Sequence, residues 1–369
     1  MIKKIICFVF ISLLLGFSVS AEETNIYNQE LEKSEALDLS DSIPPEVEEY
    51  LNQLEIDITD YNWTSNLKTE NVFSHILEFV KGGFKAPFVA LASIVAIIII
   101  SSILLGNKEN SVNIACNYAA TLSVSGIIIA PIVSAINTAV NAMKGCATFM
   151  TAFIPVFAAI TATGGKVATA ASMSTLLLGA ANGVSLLSNF AVIPLISGYL
   201  SLSLATSVSP FLNNNVISSA VKKLSLWIMA LISTVFLGVL SIQTVVNSAA
   251  DNLSMRTAKF IIGSAVPVAG GVLSEALGTL TASVSLLKSS VGIYGVVICC
   301  LIFLPVLIEL LLWRFTLWVA NFVSQSFSVA KISGLLKSID TVLSVLIGVI
   351  LLTAAMFIIS LSVCIGRTG

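Results

Sequence analysis

The sequence of 369 residues is 56% hydrophobic and only 10% charged, with a formal net charge of −2 and a mean hydropathy of +0.99. A soluble domain is about a quarter charged, and a chain this apolar cannot cover its own surface with polar groups. The composition therefore excludes an ordinary soluble protein, and a single histidine, His75, leaves almost no material for a histidine-based triad, zinc site or proton relay.

The charges divide the chain into an acidic N-terminal part and a basic remainder. Residues 22–80 contain 15 acidic side chains against two lysines, whereas residues 81–369 contain 14 basic side chains against 5 acidic ones. This asymmetry predicts a polar head on a membrane-embedded body. The six cysteines lack metal-type spacing and are predicted to be small buried hydrophobes. We expect no catalytic centre, no cofactor, no metal and no nucleic-acid partner.

Residues 1–21 have the composition of a secretory signal peptide. Two lysines near the start precede an apolar stretch from Ile5 to Phe17, and Val19-Ser20-Ala21 is a small-residue cleavage site. We therefore predict cleavage after Ala21. An uncleaved anchor helix is the alternative, although the apolar stretch is short for a membrane span.

Residues 22–85 form the predicted head, which we place outside the cytoplasmic membrane. Residues 22–42 are polar and acidic and are predicted to be flexible. Pro44-Pro45 and the glutamates after it predict a helix start, since proline fits the first turn and acids suit the positive end of a helix. Residues 72–80 have apolar side chains at helical spacing. They predict an amphipathic helix that lies either on the membrane surface or against another protein.

Residues 86–369 form the predicted membrane domain. Each clear span is about 20 residues long and almost uncharged, which is enough to cross ~30 Å of hydrocarbon. Two further apolar stretches, roughly 147–187 and 260–287, each contain a proline followed by a glycine pair. The clear spans are 86–105, 114–134, 189–207, 224–244, 290–312 and 341–363.

Four landmarks recur in the same order roughly 112 residues apart, which predicts an internal duplication. The fold class that follows is all-α: a polytopic helical membrane protein of two repeats, about 114–223 and 224–340, followed by a final span. The paired landmarks are Asn137 and Asn247, Pro155 and Pro267, Pro194 and Pro305, and Lys222 and Lys337.

Each repeat contains a predicted break at which a re-entrant hairpin turns within the membrane. In the first repeat Pro155 precedes Gly164-Gly165, and in the second Pro267 precedes Gly270-Gly271. Broken backbone is tolerated in a membrane only inside protein or beside water. Small residues, among them Ser274, follow each break at the four-residue spacing of close helix packing. This spacing has two explanations, which are both left open: ordinary tight packing, or a hairpin that lines a pore or contacts a substrate.

The signal peptide and the lysines between spans predict the topology. Lys108, Lys222 and Lys337 should be cytoplasmic, with the head and the C-terminus near Arg367 outside. Each repeat must then cross the membrane an even number of times. Residues 260–287 are too short to cross twice, so this stretch is predicted to dip in from the outside and return.

Glu309 is the strongest single candidate for a functional residue. It lies in the predicted span 290–312, where a carboxylate is costly and by default a functional candidate. Structural pairing is the alternative, and Arg314 lies close to the face that a partner would need. Glu275 and Lys166, each beside a predicted break, are weaker cases of the same kind.

The segment from Lys259 to Glu275, KFIIGSAVPVAGGVLSE, resembles the signature of the stage III sporulation protein AE family. Leu287-Lys288, the run from Val291 to Gly295, and Pro305 continue that pattern. The layout of signal peptide, acidic head and polytopic body is also similar. The resemblance covers roughly residues 70–369, is most specific over 255–310 and brings no known catalytic residue. At Glu275 the match is loose.

The resemblance implies a non-enzymatic role in endospore formation. Family members belong to an assembly that joins the mother cell to the engulfed forespore as a channel or feeding conduit. It implies a place in the outer forespore membrane, with membrane lipid, ring-forming proteins, a cytoplasmic ATPase and a forespore protein as partners; self-association is left open. A self-sufficient small-solute transporter is the alternative, because broken helices often build binding sites near the membrane midplane.

Overall fold

The computed structural model is helical throughout the part of the chain that it describes, with no strand there. The helices are a 3-10 helix at Ala36–Ser42, α1 (Pro45–Gln53), α2 (Lys85–Leu104), α3 (Ser111–Thr163), α4 (Val167–Leu186), α5 (Ile193–Val208), α6 (Gly270–Ser326) and α7 (Ala330–Ile365). The described residues are 31–32, 34, 36–60, 63, 82–104, 111–186, 193–208, 219–220, 223–225, 227–239, 241 and 270–365.

The predicted helix start in the head is confirmed. Helix α1 begins at Pro45, with Glu46 and Glu48 in its first turn. Its buried side chains, Val47 and Leu51, lie four residues apart and therefore on one face of the helix. The predicted amphipathic helix at 72–80 lies outside the described residues.

The prediction that residues 22–42 are flexible is wrong for the 3-10 helix. Ala36 and Leu39 are only 1–2% exposed, and this helix packs against α3. Burial of these apolar side chains offsets the entropy lost on ordering an otherwise acidic segment. The head is also close to α3 at Gly145, where an added Cβ would lie 3.5 Å from the Pro44 ring.

Among the residues that the structure describes, four helices are long and apolar enough to cross a membrane, which agrees with a polytopic helical membrane protein. The candidate spans are Lys85–Leu104, Asn113–Thr163, Leu287–Ser326 and Ala330–Ser362. Large apolar side chains also remain exposed on this body. Phe315, Trp318 and Phe322 stack along α6 with ring centroids 6.1 and 6.5 Å apart and 53–65% of each side chain exposed. Lipid is the solvent that suits such a surface.

The predicted span boundaries differ from the observed helices. Helix α3 joins the predicted span 114–134 to the stretch that begins at 147, and it continues through both Pro131 and Pro155. With a rise of ~1.5 Å per residue, a helix of 53 residues is ~80 Å long, much more than the ~30 Å of a bilayer core. The polar run at Asn137 and Asn141 does not interrupt the helix, because both side chains lie on its exposed surface.

Helices α3 and α6 form the centre of the body and run antiparallel. Their contacts pair Cys146 with Cys299, whose sulfurs are 3.6 Å apart, and Phe153 with Gly295. As the residue number rises along α3 it falls along α6. Phe149, Phe153 and Phe157 form a ladder on the inner face of α3, with successive ring centroids 5.5 Å apart.

Helix α7 returns along α6, and polar contacts fix its register. Arg314 Nε donates to Asp340 Oδ1 at 2.9 Å, and Ser333 Oγ donates to Asn321 Oδ1 at 2.8 Å. Near the start of α7, the Lys331 ammonium lies 3.2 Å from the centroid of the Tyr118 ring on α3. The turn between α6 and α7 therefore lies at the end of the body where α3 begins.

The head and the end of α7 occupy the opposite end of the body. Trp63 Nε1 donates to Ser290 Oγ at 2.9 Å, and the side chain of Ile365 packs beside Gly292. The head and the C-terminal end of α7 therefore lie together, far from the start of α3. Which side of a membrane each end faces stays a prediction, and Lys108 and Lys222 lie outside the described residues.

The α3–α6 pairing predicts a specific cross-link. Mild oxidation of membranes with copper phenanthroline should remove two protons and two electrons from the Cys146 and Cys299 thiols and join them as a disulfide. Mass spectrometry should find the peptide pair, while Cys116, near the start of α3, stays available for alkylation. Cys146→Ser should abolish the cross-link. If Cys299 instead pairs with Cys116, the antiparallel register of α3 and α6 is wrong.

Candidate functional site

A cavity of about 740 Å³ lies where the head meets the helical body. This volume falls within the ~300–1,000 Å³ of ordinary small-molecule sites. The head, the start of α2, the middle of α3 and the middle of α6 all contribute to its walls. The lining residues are Tyr50, Gln53, Gly82, Gly83, Ala86, Pro87, Pro131, Ser134, Pro305, Ile308, Glu309 and Trp313.

Each of the three body helices presents a proline to the cavity. Pro87 lies in the first turn of α2, where its missing N–H leaves no helical bond unmade. Pro131 and Pro305 lie inside α3 and α6, so each removes the amide donor for the carbonyl four residues earlier. The cavity therefore lies beside a position in each of two long helices where a proline removes one backbone donor.

Glu309 is the one charged side chain among the residues that line the cavity. It is partly buried and lies one turn after Pro305 and one turn before Trp313, so all three share a face of α6. Within the described part of the chain, its carboxylate has neither a hydrogen bond nor an ion pair. The alternative of pairing with Arg314 is not what the structure shows, because Arg314 binds Asp340 instead.

The head supplies the polar edge of the cavity. Tyr50 and Gln53 lie three residues apart on one face of α1, and Gln53 Nε2 donates to Glu49 Oε1 at 3.4 Å. Burial raises the pKa of Tyr50, and the negative charges of Glu49 and Glu46 raise it further. The mouth of the cavity is therefore an acidic environment that disfavours any added negative charge.

The first predicted break is a turn between two helices. Gly164 and Gly165 separate α3 from α4, and Gly165 has φ 78°, a conformation that L-residues rarely adopt. Pro155, by contrast, lies inside α3 and does not break it. Along α3 this turn is ~50 Å from the cavity wall at Pro131. The structure therefore does not bring the first glycine pair to the cavity.

The second predicted break is not reproduced. Pro267 lies outside the described residues, and Gly270 and Gly271 are the first residues of α6. Ser274 and Glu275 follow within the same helix, which continues to Ser326 without a break. A hairpin that returns before the span 290–312 needs a reversal of the chain, and α6 contains none. A glycine pair at the start of a helix is compatible with an unbroken α6, because it interrupts no hydrogen-bonded turn.

The internal duplication is also not reproduced by the helix boundaries. In the first half, Pro194 lies at the start of α5, after α4 has ended at Leu186. In the second half, its predicted counterpart Pro305 lies in the middle of α6. Gly164 packs against Val284, several turns past Gly270, so the two glycine pairs are not adjacent there. The repeat stays a prediction.

Sequence reasoning found Glu309 but not the cavity around it. Tyr50 and Trp313 are too far apart in the chain for any local pattern to join them. A signal was nevertheless present, because Pro131 and Pro305 lie within apolar stretches and Pro87 lies at the start of one. A proline inside a membrane helix leaves a carbonyl without its usual partner, and that carbonyl needs a protein or water neighbour. Prolines in several helices together therefore indicate a site more strongly than one proline does.

Comparison with known proteins places most of the chain in one family. The family model described as stage III sporulation protein AE matches residues 57–368. A curated relative, stage III sporulation protein AE of Bacillus subtilis (strain 168), is 29% identical over 232 residues. The match covers 63% of this chain and 58% of the relative, so the chain spans less than two thirds of that protein. No solved structure matches.

Proposed function

The chain belongs to the stage III sporulation protein AE family, and from that premise we propose that it is a non-enzymatic membrane component of the channel between mother cell and forespore. The observation that carries the proposal is the coincidence of the family match with four long apolar helices. A sporulation protein with such a body belongs in a membrane. The membrane that separates the two cells during engulfment is where a conduit between them must lie.

The proposal includes a location and an orientation. The chain lies in the outer forespore membrane, derived from the mother cell, with the head in the intermembrane space. Support comes from the predicted signal peptide and from the acidic charge of the head. The head packs on the same end of the body as the end of α7, so both would face the forespore.

The proposed partners are membrane lipid and other stage III proteins: ring-forming proteins, a cytoplasmic ATPase and a forespore protein. Their positions follow from the orientation. The ATPase would meet the end at which α3 begins and α6 turns into α7. Ring-forming and forespore proteins would meet the head end. Association of several copies is compatible with the exposed aromatic stack on α6.

One observation favours the alternative of a self-sufficient solute transporter. The cavity holds an unpaired carboxylate among apolar side chains, as small-molecule sites in membrane proteins commonly do. The two functions differ in what the chain needs. A transporter moves solute when it is purified alone in vesicles, whereas a channel component needs its partners.

The test is purification from sporulating cells of an endospore-forming host in which a tagged copy replaces the host protein. We expect the tagged chain to co-purify with other stage III proteins after mild detergent extraction and to support heat-resistant spores. A copy lacking the head, residues 31–63, should reach the membrane but lower spore yield at least tenfold. Purification of the chain alone, together with solute flux in vesicles, would contradict the channel proposal.

A further inference from the structure

We propose that the cavity between the head and the body binds a small organic cation, with Glu309 as its counter-ion and Trp313 and Tyr50 as its aromatic walls. The inference goes beyond the proposed function and does not depend on it. It can hold for a channel component that senses or passes a solute, and equally for a transporter.

The first argument is charge. Among the described residues Glu309 has no ion-pair or hydrogen-bond partner, although it is partly buried beside apolar side chains. A carboxylate in such surroundings is costly unless something compensates it. In the lining helices, two cations stand next to residues that line the cavity. Lys85 is exposed, and Arg314 is bound to Asp340. A cationic ligand would supply the missing charge.

The second argument is the approach to the cavity. Helix α1 carries exposed carboxylates at Glu46 and Glu49, one turn and one residue before Tyr50, which lines the cavity. Burial raises the pKa of Tyr50, and the negative charges of Glu49 and Glu46 raise it further. Like charges at the mouth of a cleft concentrate ions of the opposite sign. The mouth and the interior therefore both favour a positive solute.

The third argument is the chemistry of the walls. Trp313 is only 3% exposed and lies one helical turn from Glu309. Trp and Tyr rings attract cations through their faces, and quaternary ammonium ligands are the best-known case. A hard metal ion needs six or more oxygen ligands for Ca²⁺ or an octahedral set for Mg²⁺. One carboxylate among prolines, glycines and aromatics fits an organic cation better.

The test uses the purified full chain in lipid nanodiscs and isothermal titration calorimetry. The probe is choline, and the matched control ligand is 3,3-dimethyl-1-butanol, which has the same shape without the charge. We expect choline to bind at least tenfold more tightly than the neutral alcohol. Glu309→Gln, which keeps the size of the side chain, should weaken choline binding at least tenfold and leave the alcohol unchanged.

A second pair of variants separates the site from the general charge of the head. Glu55→Gln makes the same chemical change at an exposed head carboxylate that does not line the cavity, and it should leave choline binding within twofold. Trp313→Phe should weaken binding severalfold. The proposal is overturned if choline gives no saturable heat, if both ligands bind equally, or if Glu309→Gln binds choline as the unaltered chain does. Spore yield tests the proposed function separately.

Discussion

Replacing Gly295 with leucine should destabilise the folded chain and lower its amount in membranes. A Cβ at this position would lie 2.8 Å from two ring atoms of Phe153, closer than real Cβ atoms approach. The ring cannot move aside, because Phe153 is fully buried and stacks between Phe149 and Phe157. Overpacking of a filled core typically costs about 1–3 kcal/mol, and we expect a value at the upper end.

The measurement is the folded fraction of purified chain as the denaturant concentration rises. The amount of protein in membranes is a second readout. Gly126→Leu is the matched control, since an added Cβ there meets nothing within 4 Å. It should behave as the unaltered chain does. Gly295→Ala should be intermediate. Equal stability of the two leucine variants would show that α3 and α6 do not pack as the structure has them.

The sequence predicted the class of the protein and its most local features. Composition alone indicated a membrane protein, and Pro45 with the acids after it indicated the start of α1 correctly. The start of a helix depends on interactions within one helical turn, and the class of the protein depends on the average of many residues. The span at 86–105 was also close to the observed Lys85–Leu104, because charged residues bound the apolar stretch in the sequence.

Helix boundaries inside the body could not be predicted from local patterns. The run between Asn137 and Asn141 is polar enough to suggest a break, yet its two asparagines lie on the exposed face of an unbroken helix. Whether a polar residue ends a helix depends on what surrounds it in three dimensions, which hydropathy averages do not contain. The same holds for Pro155, whose effect depends on whether neighbours accommodate the freed carbonyl.

The cavity could not be predicted because four separate segments build it. Glu309 was identified from its cost in an apolar span, but Tyr50 was unremarkable in an acidic segment. Trp63 is one of the contacts between the head and the body, beside the packing of the 3-10 helix against α3, and it lies in a sequence with no apolar periodicity. Long-range contacts of single residues leave no local signal.

Replacing Trp63 with alanine should release the head from the body. Trp63 is only 1% exposed, its Nε1 donates to Ser290 Oγ, and its ring meets the edge of Tyr294 at a centroid distance of 6.0 Å. Removal of a buried Trp or Phe side chain typically costs about 3–5 kcal/mol. Hydrogen exchange in α1 should therefore accelerate, and a protease should cut the head far more quickly than in the unaltered chain.

Release of the head should also weaken choline binding, although Trp63 does not line the cavity, because Tyr50 and Gln53 reach it only while the head is docked. Trp63→Phe keeps most of the buried ring and loses about 1 kcal/mol of hydrogen bonding, so it should be mild. Trp227→Ala, at a side chain that is 65% exposed, is the control and should change neither protease resistance nor binding. Unchanged exchange in α1 of Trp63→Ala would mean that other contacts hold the head. The cavity would then not depend on this one side chain.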